Sequence, residues 1–167
     1  MKRELFDSLD DDSLGQACFK PIIEAYKIEQ TLGNDSKVYE KLTAGQQALF
    51  MFRVYFNHVR KSLADFHWWN SYFMAKPERW LGIKEGLCYF GDRDMLHLLE
   101  RIEGALQCAD NLSDFDVTYR NNIEDDAELA FSLKPLQDAF HKMIPITVQR
   151  IGEYIRHHQN EFVCMEE

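Results

Sequence analysis

Leu129, Leu133, Leu136, Phe140, Ile144, Val148, Ile151 and Ile155 recur at steps of three and four residues. That spacing matches the 3.6-residue repeat of an α-helix and gathers the large apolar side chains into one stripe. A chain carrying such a stripe must lay a long helix against other elements to hide it from water. Pro135 and Pro145 fall inside the pattern. Each is expected to start, kink or break the helix, because proline lacks an amide proton and crowds the preceding turn.

The same period appears elsewhere. Ala48, Phe52, Tyr55, Phe56, Val59, Leu63 and Phe66 form a second stripe behind Thr43-Ala44-Gly45-Gln46, a capping box. The pattern predicts a central helix running to about Phe66. Pro77 suits the first turn of a helix bearing Trp80, Leu81, Lys84, Leu87 and Cys88. Gly91 stops that helix, and Asp92 caps the next, which carries Met95, Leu98, Leu99, Ile102, Ala105 and Leu106. Nearer the start, Ser13 reads as the N-cap of a helix from Leu14 to about Thr31. Pro21 should kink or divide it, and Gly33-Asn34-Asp35 should end it. No run of strict alternation marks a strand. The fold expected is all-α: an irregular bundle of about five to seven helices forming a single domain over 1–167.

A chain of 167 residues fits one domain, which at this size buries roughly 70% of its unfolded surface. With 46% hydrophobic residues it is not a disordered tail. No apolar run approaches the roughly 20 residues of a membrane span, so no membrane association is expected. Met1 to Asp7 lead into no apolar signal segment, and Phe162 to Glu167 form no lipidation box. Cys18, Cys88, Cys108 and Cys164 are widely spaced, with no C-x-x-C pair. They read as buried free thiols in a reducing compartment, and the expected location is cytoplasmic.

The net charge of −9 is uneven: residues 1–36 carry −4, residues 37–103 carry +2 and residues 104–167 carry −7. Acidic flanks argue against direct nucleic-acid binding, which needs clustered Lys and Arg.

Signatures of catalysis are missing from the sequence: no G-x-G-x-x-G, P-loop, G-x-S-x-G or H-E-x-x-H occurs. His97, Glu100 and Glu103 share a helical face, and Glu153 and His157 form an i, i+4 pair. One face supplies too few ligands for a metal, so neither a metal nor another cofactor is expected. Cys88 or Cys108 beside a histidine would make a nucleophile only with a base in hydrogen-bond reach, which the spacing does not provide.

Two compositions stand out. Residues 50–90 hold all three tryptophans, Trp68, Trp69 and Trp80, among many other rings, with Arg60, Lys61, Lys76, Arg79 and Lys84 interleaved. Large rings build cores, and Trp, Tyr and Arg also dominate interface hot spots. Residues 110–128 hold seven acids, Asp125, Asp126 and Glu128 among them, against the single base Arg120. Such a stretch is either a solvated loop or a surface for a basic protein partner.

The order of features from Phe50 to Leu106 resembles a bacterial all-helical domain family of unknown function that includes an acidic DNA-mimic protein. The resemblance rests on a capped helix leading to His67-Trp68-Trp69-Asn70-Ser71-Tyr72-Phe73, then a Pro-led helix, then the Gly91-Asp92 break and a Leu-rich helix. Where that family has a Gly-Gly step this chain has Lys61-Ser62-Leu63-Ala64, and no site residue is carried over.

The reading that results is a non-enzymatic intracellular helical protein acting by protein–protein binding, through Trp68, Trp69, Trp80, Asp125, Asp126 and Glu128. The alternative is a small helical enzyme or metal-binding protein using His and carboxylate groups inside the bundle. The sequence is silent on the oligomeric state.

Overall fold

The computed structural model describes residues 1–109 and 127–166. Among them every regular element is a helix: α1 (Arg3–Ser8), α2 (Asp11–Thr31), α3 (Asp35–Glu40), α4 (Ala44–Val59), α5 (Leu63–Met74), α6 (Pro77–Tyr89), α7 (Arg93–Ala109), α8 (Ala127–His157) and α9 (Gln159–Phe162). The fold is the all-α bundle that the apolar stripes require. The six helices of twelve residues or more form its body, and α1, α3 and α9 are short additions.

Local chemistry sets most of the ends. The Thr43 hydroxyl accepts from the Gln46 amide at 3.1 Å while the Gln46 side chain accepts from the Thr43 amide at 3.1 Å, completing the capping box of α4. Gly33 and Gly91 take left-handed φ of +71° and +70°. At each, paired backbone bonds close the preceding helix, Asn34 N to Glu29 O and Asp92 N to Leu87 O, both at 2.9 Å. The N-cap of α2 is Asp10 rather than Ser13. Its carboxylate accepts from the Ser13 amide at 2.7 Å, a bond that holds the Asp10 carboxyl below its usual pKa.

Two features depart from the stripes. Pro21, Pro135 and Pro145 neither divide nor end their helices, for α2 and α8 run through them. All three prolines are exposed, so each sits on the water-facing side of its helix, where the missing amide hydrogen bond is tolerated best. Conversely, the helix expected to reach Phe66 stops at Val59. Ser62 caps a new helix, its hydroxyl accepting from the Asp65 amide at 3.0 Å and donating to Asp65 Oδ2 at 2.7 Å. The chain turns a corner over Arg60, Lys61 and Ser62, and α5 folds back beside α4.

Helix α4 is central, with Leu49, Phe52, Tyr55, Phe56 and Val59 buried. Helix α6 crosses it closely enough that a Cβ on Gly86 would stand 3.0 Å from the Ala48 carbonyl oxygen. Inside the core the Tyr55 hydroxyl donates to Asn70 Oδ1 at 2.8 Å, and Asn70 Nδ2 donates to the Phe66 carbonyl at 2.7 Å. Burial raises the Tyr55 pKa far above its ordinary value, so the phenol stays protonated.

Charged groups fasten the periphery. The Arg53 guanidinium runs buried beneath Gly15 to Asp12, bonding its carboxylate at 2.6 Å and its carbonyl at 2.9 Å. Buried Asp92 accepts from Thr147 Oγ1 at 2.6 Å, from Arg150 Nη1 at 2.7 Å and from the Met95 amide at 3.2 Å. It therefore caps α7 and ties α7 to the middle of α8. Arg156 on α8 donates to the Leu9 carbonyl at 2.7 Å and pairs with Asp11 at 3.1 Å. Among the described residues no helix is long and apolar enough to cross a membrane.

Candidate functional site

The corner between α4 and α5 gathers aromatic rings at the surface. Phe66, His67, Asn70, Ser71, Phe73 and Met74 of α5 turn inward and are buried. Helical geometry leaves Trp68, Trp69 and Tyr72 on the outer side, where each is half-buried. Because α5 folds back on α4, the His58 imidazole lies flat on the Trp69 indole, with centroids 3.7 Å apart and planes inclined 24°. Trp69 meets Trp68 edge to face at 4.5 Å, and Trp68 stacks on Tyr72 at 5.3 Å and 12°. The result is a row of four rings, His58, Trp69, Trp68 and Tyr72.

Cations stand at both ends of the row. Lys76 Nζ lies 4.9 Å from the Tyr72 ring centroid, and Arg79 Nη1 donates to the Tyr72 hydroxyl at 3.1 Å. At the other end, burial foremost and the positive charge of Lys61 next push the His58 pKa below its ordinary value, with Asp65 opposing. The imidazole is thus neutral at pH 7 and acts as a fourth aromatic ring. In a chain of net charge −9, this is a local aromatic and cationic surface.

Trp80 does not join the row. It is buried in the core, 4% exposed, edge-on to Tyr55 at 6.1 Å with Lys84 Nζ 5.8 Å from its centroid. Phe50, Phe52, Tyr55, Phe56, Phe66, Phe73 and Phe90 are core residues too. Most of the aromatic excess of residues 50–90 therefore builds the interior, and its half-buried rings are Trp68, Trp69 and Tyr72 of α5 with Tyr89 of α6. Asp125 and Asp126 lie outside the described residues. Glu128 is exposed in the first turn of α8, where the helix dipole favours a carboxylate.

The histidine pairs have partners of their own. His97 Nδ1 meets Glu100 at 2.9 Å, whereas Glu103 takes Lys84 Nζ at 3.1 Å. His157 Nδ1 lies 2.7 Å from the Glu153 carbonyl, and the Glu153 carboxylate accepts from Gln149 at 2.9 Å. Among the described residues, no three His, Cys, Asp or Glu side chains form a group able to hold a metal. Of the thiols, Cys18 is buried, and burial raises its pKa to about 11. Cys88 and Cys164 are free and exposed, so the expectation of buried thiols holds for neither.

Sequence reasoning missed His58 as a member of the surface because the apolar period runs unbroken from Val59 to Phe66 and hides the corner that brings His58 against Trp69. The signal was Ser62-Leu63-Ala64-Asp65, a cap pattern inside an otherwise unbroken apolar stripe. Compared with protein-family models, curated proteins and solved structures, the chain matches none.

Proposed function

We propose that this chain works without catalysis, by binding another protein through the aromatic row of α5. The observation that carries this reading is the stack His58–Trp69–Trp68–Tyr72 at the surface, with Lys76 and Arg79 beside it. Rigid, half-buried rings offer a partner large contact area at little entropic cost, and Trp, Tyr and Arg recur where interfaces concentrate their energy. The acidic segment supplies a second contact, with a basic surface, through Asp125, Asp126 and exposed Glu128. Its field acts over about 8 Å at physiological salt and speeds encounter more than it deepens affinity.

The test is affinity capture from the native host, followed by titration of the captured protein in purified form. Trp68→Ala with Trp69→Ala should weaken that complex at least about thirtyfold, the scale of a hot-spot loss. Lys76→Glu with Arg79→Glu, changes outside the core, should weaken it while leaving circular dichroism unchanged. Asp125→Asn, Asp126→Asn and Glu128→Gln together should slow association and flatten its salt dependence. A partner that binds all of these variants as it binds the parent chain rules the reading out.

A further inference from the structure

The aromatic row of α5 carries positive charge that its own chain leaves unpaired. Lys76 Nζ lies over the Tyr72 ring at 4.9 Å. Arg79 gives one N–H to the Tyr72 hydroxyl, and a guanidinium has several more to donate. Lys61 is exposed at the His58 end, close enough for its charge to act on the imidazole. Among the described residues, none of these three cations forms an ion pair with a carboxylate, although the chain holds 28 acids against 19 Lys and Arg. The acids beside the row are otherwise placed. Asp65 takes the Ser62 hydroxyl at 2.7 Å, and Glu78 stands in the first turn of α6, where the helix dipole favours it. The rings point the same way. Stacking takes one face of His58, Trp69, Trp68 and Tyr72. Ring faces carry the negative end of the quadrupole and ring edges the positive end. A nucleic-acid base or an ammonium group needs an open face, whereas a carboxylate is favoured by edges and by the cations beside them.

We infer that the row receives an acidic segment of the partner protein, with carboxylates on Lys76 and Arg79 at one end and on Lys61 at the other, and apolar side chains between them on Trp68 and Trp69. This rests on the reading that the row binds a protein, and it adds the chemistry of what binds there. Arg79 offers the planar fork that takes a carboxylate through paired N–H bonds, and Lys76 adds a point charge beside it. Apolar contact over the indoles excludes water from the middle of the interface, which strengthens the charge pairs around it. A basic segment would set like charges against Lys61, Lys76 and Arg79, so the residues that attract the right partner also repel the wrong one. The cations are exposed or half-buried. Their attraction is therefore screened by salt and acts strongly on the rate of association.

Synthetic peptides of one design test this. Each has Pro-Leu-Phe-Pro at its centre, flanked on both sides by paired Glu, paired Gln or paired Lys, and each carries a fluorescein. They are titrated with the full chain by fluorescence anisotropy at low and at physiological salt. The Glu peptide should bind at least about tenfold tighter than the Gln peptide, and the Lys peptide should bind weakest of all. Trp68→Ala with Trp69→Ala should weaken the Glu peptide at least about tenfold. Lys76→Glu with Arg79→Glu should invert the preference, making the Lys peptide the tighter ligand. Lys61→Glu, at the other end of the row, should narrow the preference in the same direction. Inversion is a result that loss of folding cannot produce. A chain that binds the Gln or the Lys peptide as well as the Glu peptide, or binds none of the three, overturns the inference. So does a labelled oligothymidylate that binds tighter than the Glu peptide. The inference and the reading beneath it fail separately. A captured partner that depends on Trp68 and Trp69 but is not displaced by the Glu peptide leaves the row a protein-binding surface and overturns only its acidic occupant. A partner indifferent to both tryptophans overturns the row itself.

Discussion

The His58 imidazole rests on the Trp69 indole at a centroid separation of 3.7 Å, although the two residues belong to different helices. The contact exists only because α4 ends at Val59 and α5 restarts at Leu63. It removes one face of the imidazole from water, and that burial is the main cause of the lowered His58 pKa.

Protonation should therefore act on stability with a definite sign. The unfolded chain binds a proton at His58 more readily than the folded chain does, because the folded pKa is the lower one. Above the ordinary histidine value the group adds nothing. As pH falls through that value the folded state loses stability, and the loss levels off beneath the folded pKa. Imidazole resonances followed by NMR should place the His58 midpoint below the ordinary histidine value. His58→Phe should flatten stability against pH over the same window. A His58 midpoint at or above the ordinary value would contradict the stacked geometry.

Asp92 is the most heavily used polar residue of the described core, with Thr147, Arg150 and the Met95 amide all donating to it. Asp92→Ala strips a cap from α7 and leaves Arg150 without its carboxylate. Because the Arg150 side chain is one-third exposed, water compensates part of the loss. The expected cost is about 2–4 kcal/mol, below the full value for a buried pair. Urea unfolding should show a lower midpoint with an unchanged slope.

Ser62 holds the corner that shapes the aromatic row. Ser62→Ala should cost about 1 kcal/mol, the usual worth of an N-cap. Ser62→Thr should cost much less, because threonine keeps a hydroxyl that can accept from the Asp65 amide and donate to its carboxylate. If the alanine variant matches the parent in thermal unfolding, the corner is held by packing alone.

Thiol chemistry offers a map of burial. Cys88 and Cys164 are exposed and should react with a maleimide within minutes in the native state. Cys18 is buried, with its pKa raised to about 11, so it should react only when the chain unfolds. Peptide mass spectrometry after timed quenching distinguishes the sites.

Legibility in the sequence followed the range of the interaction. The Thr43–Gln46 box, the Pro77 start and the stops at Gly33 and Gly91 are local bonds, and their residues announce them. The break before α5 was hidden because Val59, Leu63 and Phe66 keep helical spacing across it, so periodicity outvoted a modest cap. Pro21, Pro135 and Pro145 were read as interruptions because the rule that proline breaks helices ignores which side faces water. Nothing in the composition separates Trp80, in the core, from Trp68 and Trp69, at the rim. That difference arises from how α5 and α6 pack on α4. Arg53–Asp12 and Asp92–Arg150 join residues 41 and 58 positions apart, a range no spacing rule covers.

The turns at Gly33 and Gly91 make a last demand that is one of chirality. Nothing stands within 4 Å of the place a Cβ would occupy at either residue, so room is not what excludes a side chain. The left-handed φ alone disfavours an L-residue. A chain assembled by chemical ligation with D-alanine at either position would be built for that backbone from the outset. It would give up the freedom glycine keeps when unfolded, so its stability should rise by roughly 0.5–1 kcal/mol, whereas L-alanine at the same place should lower it.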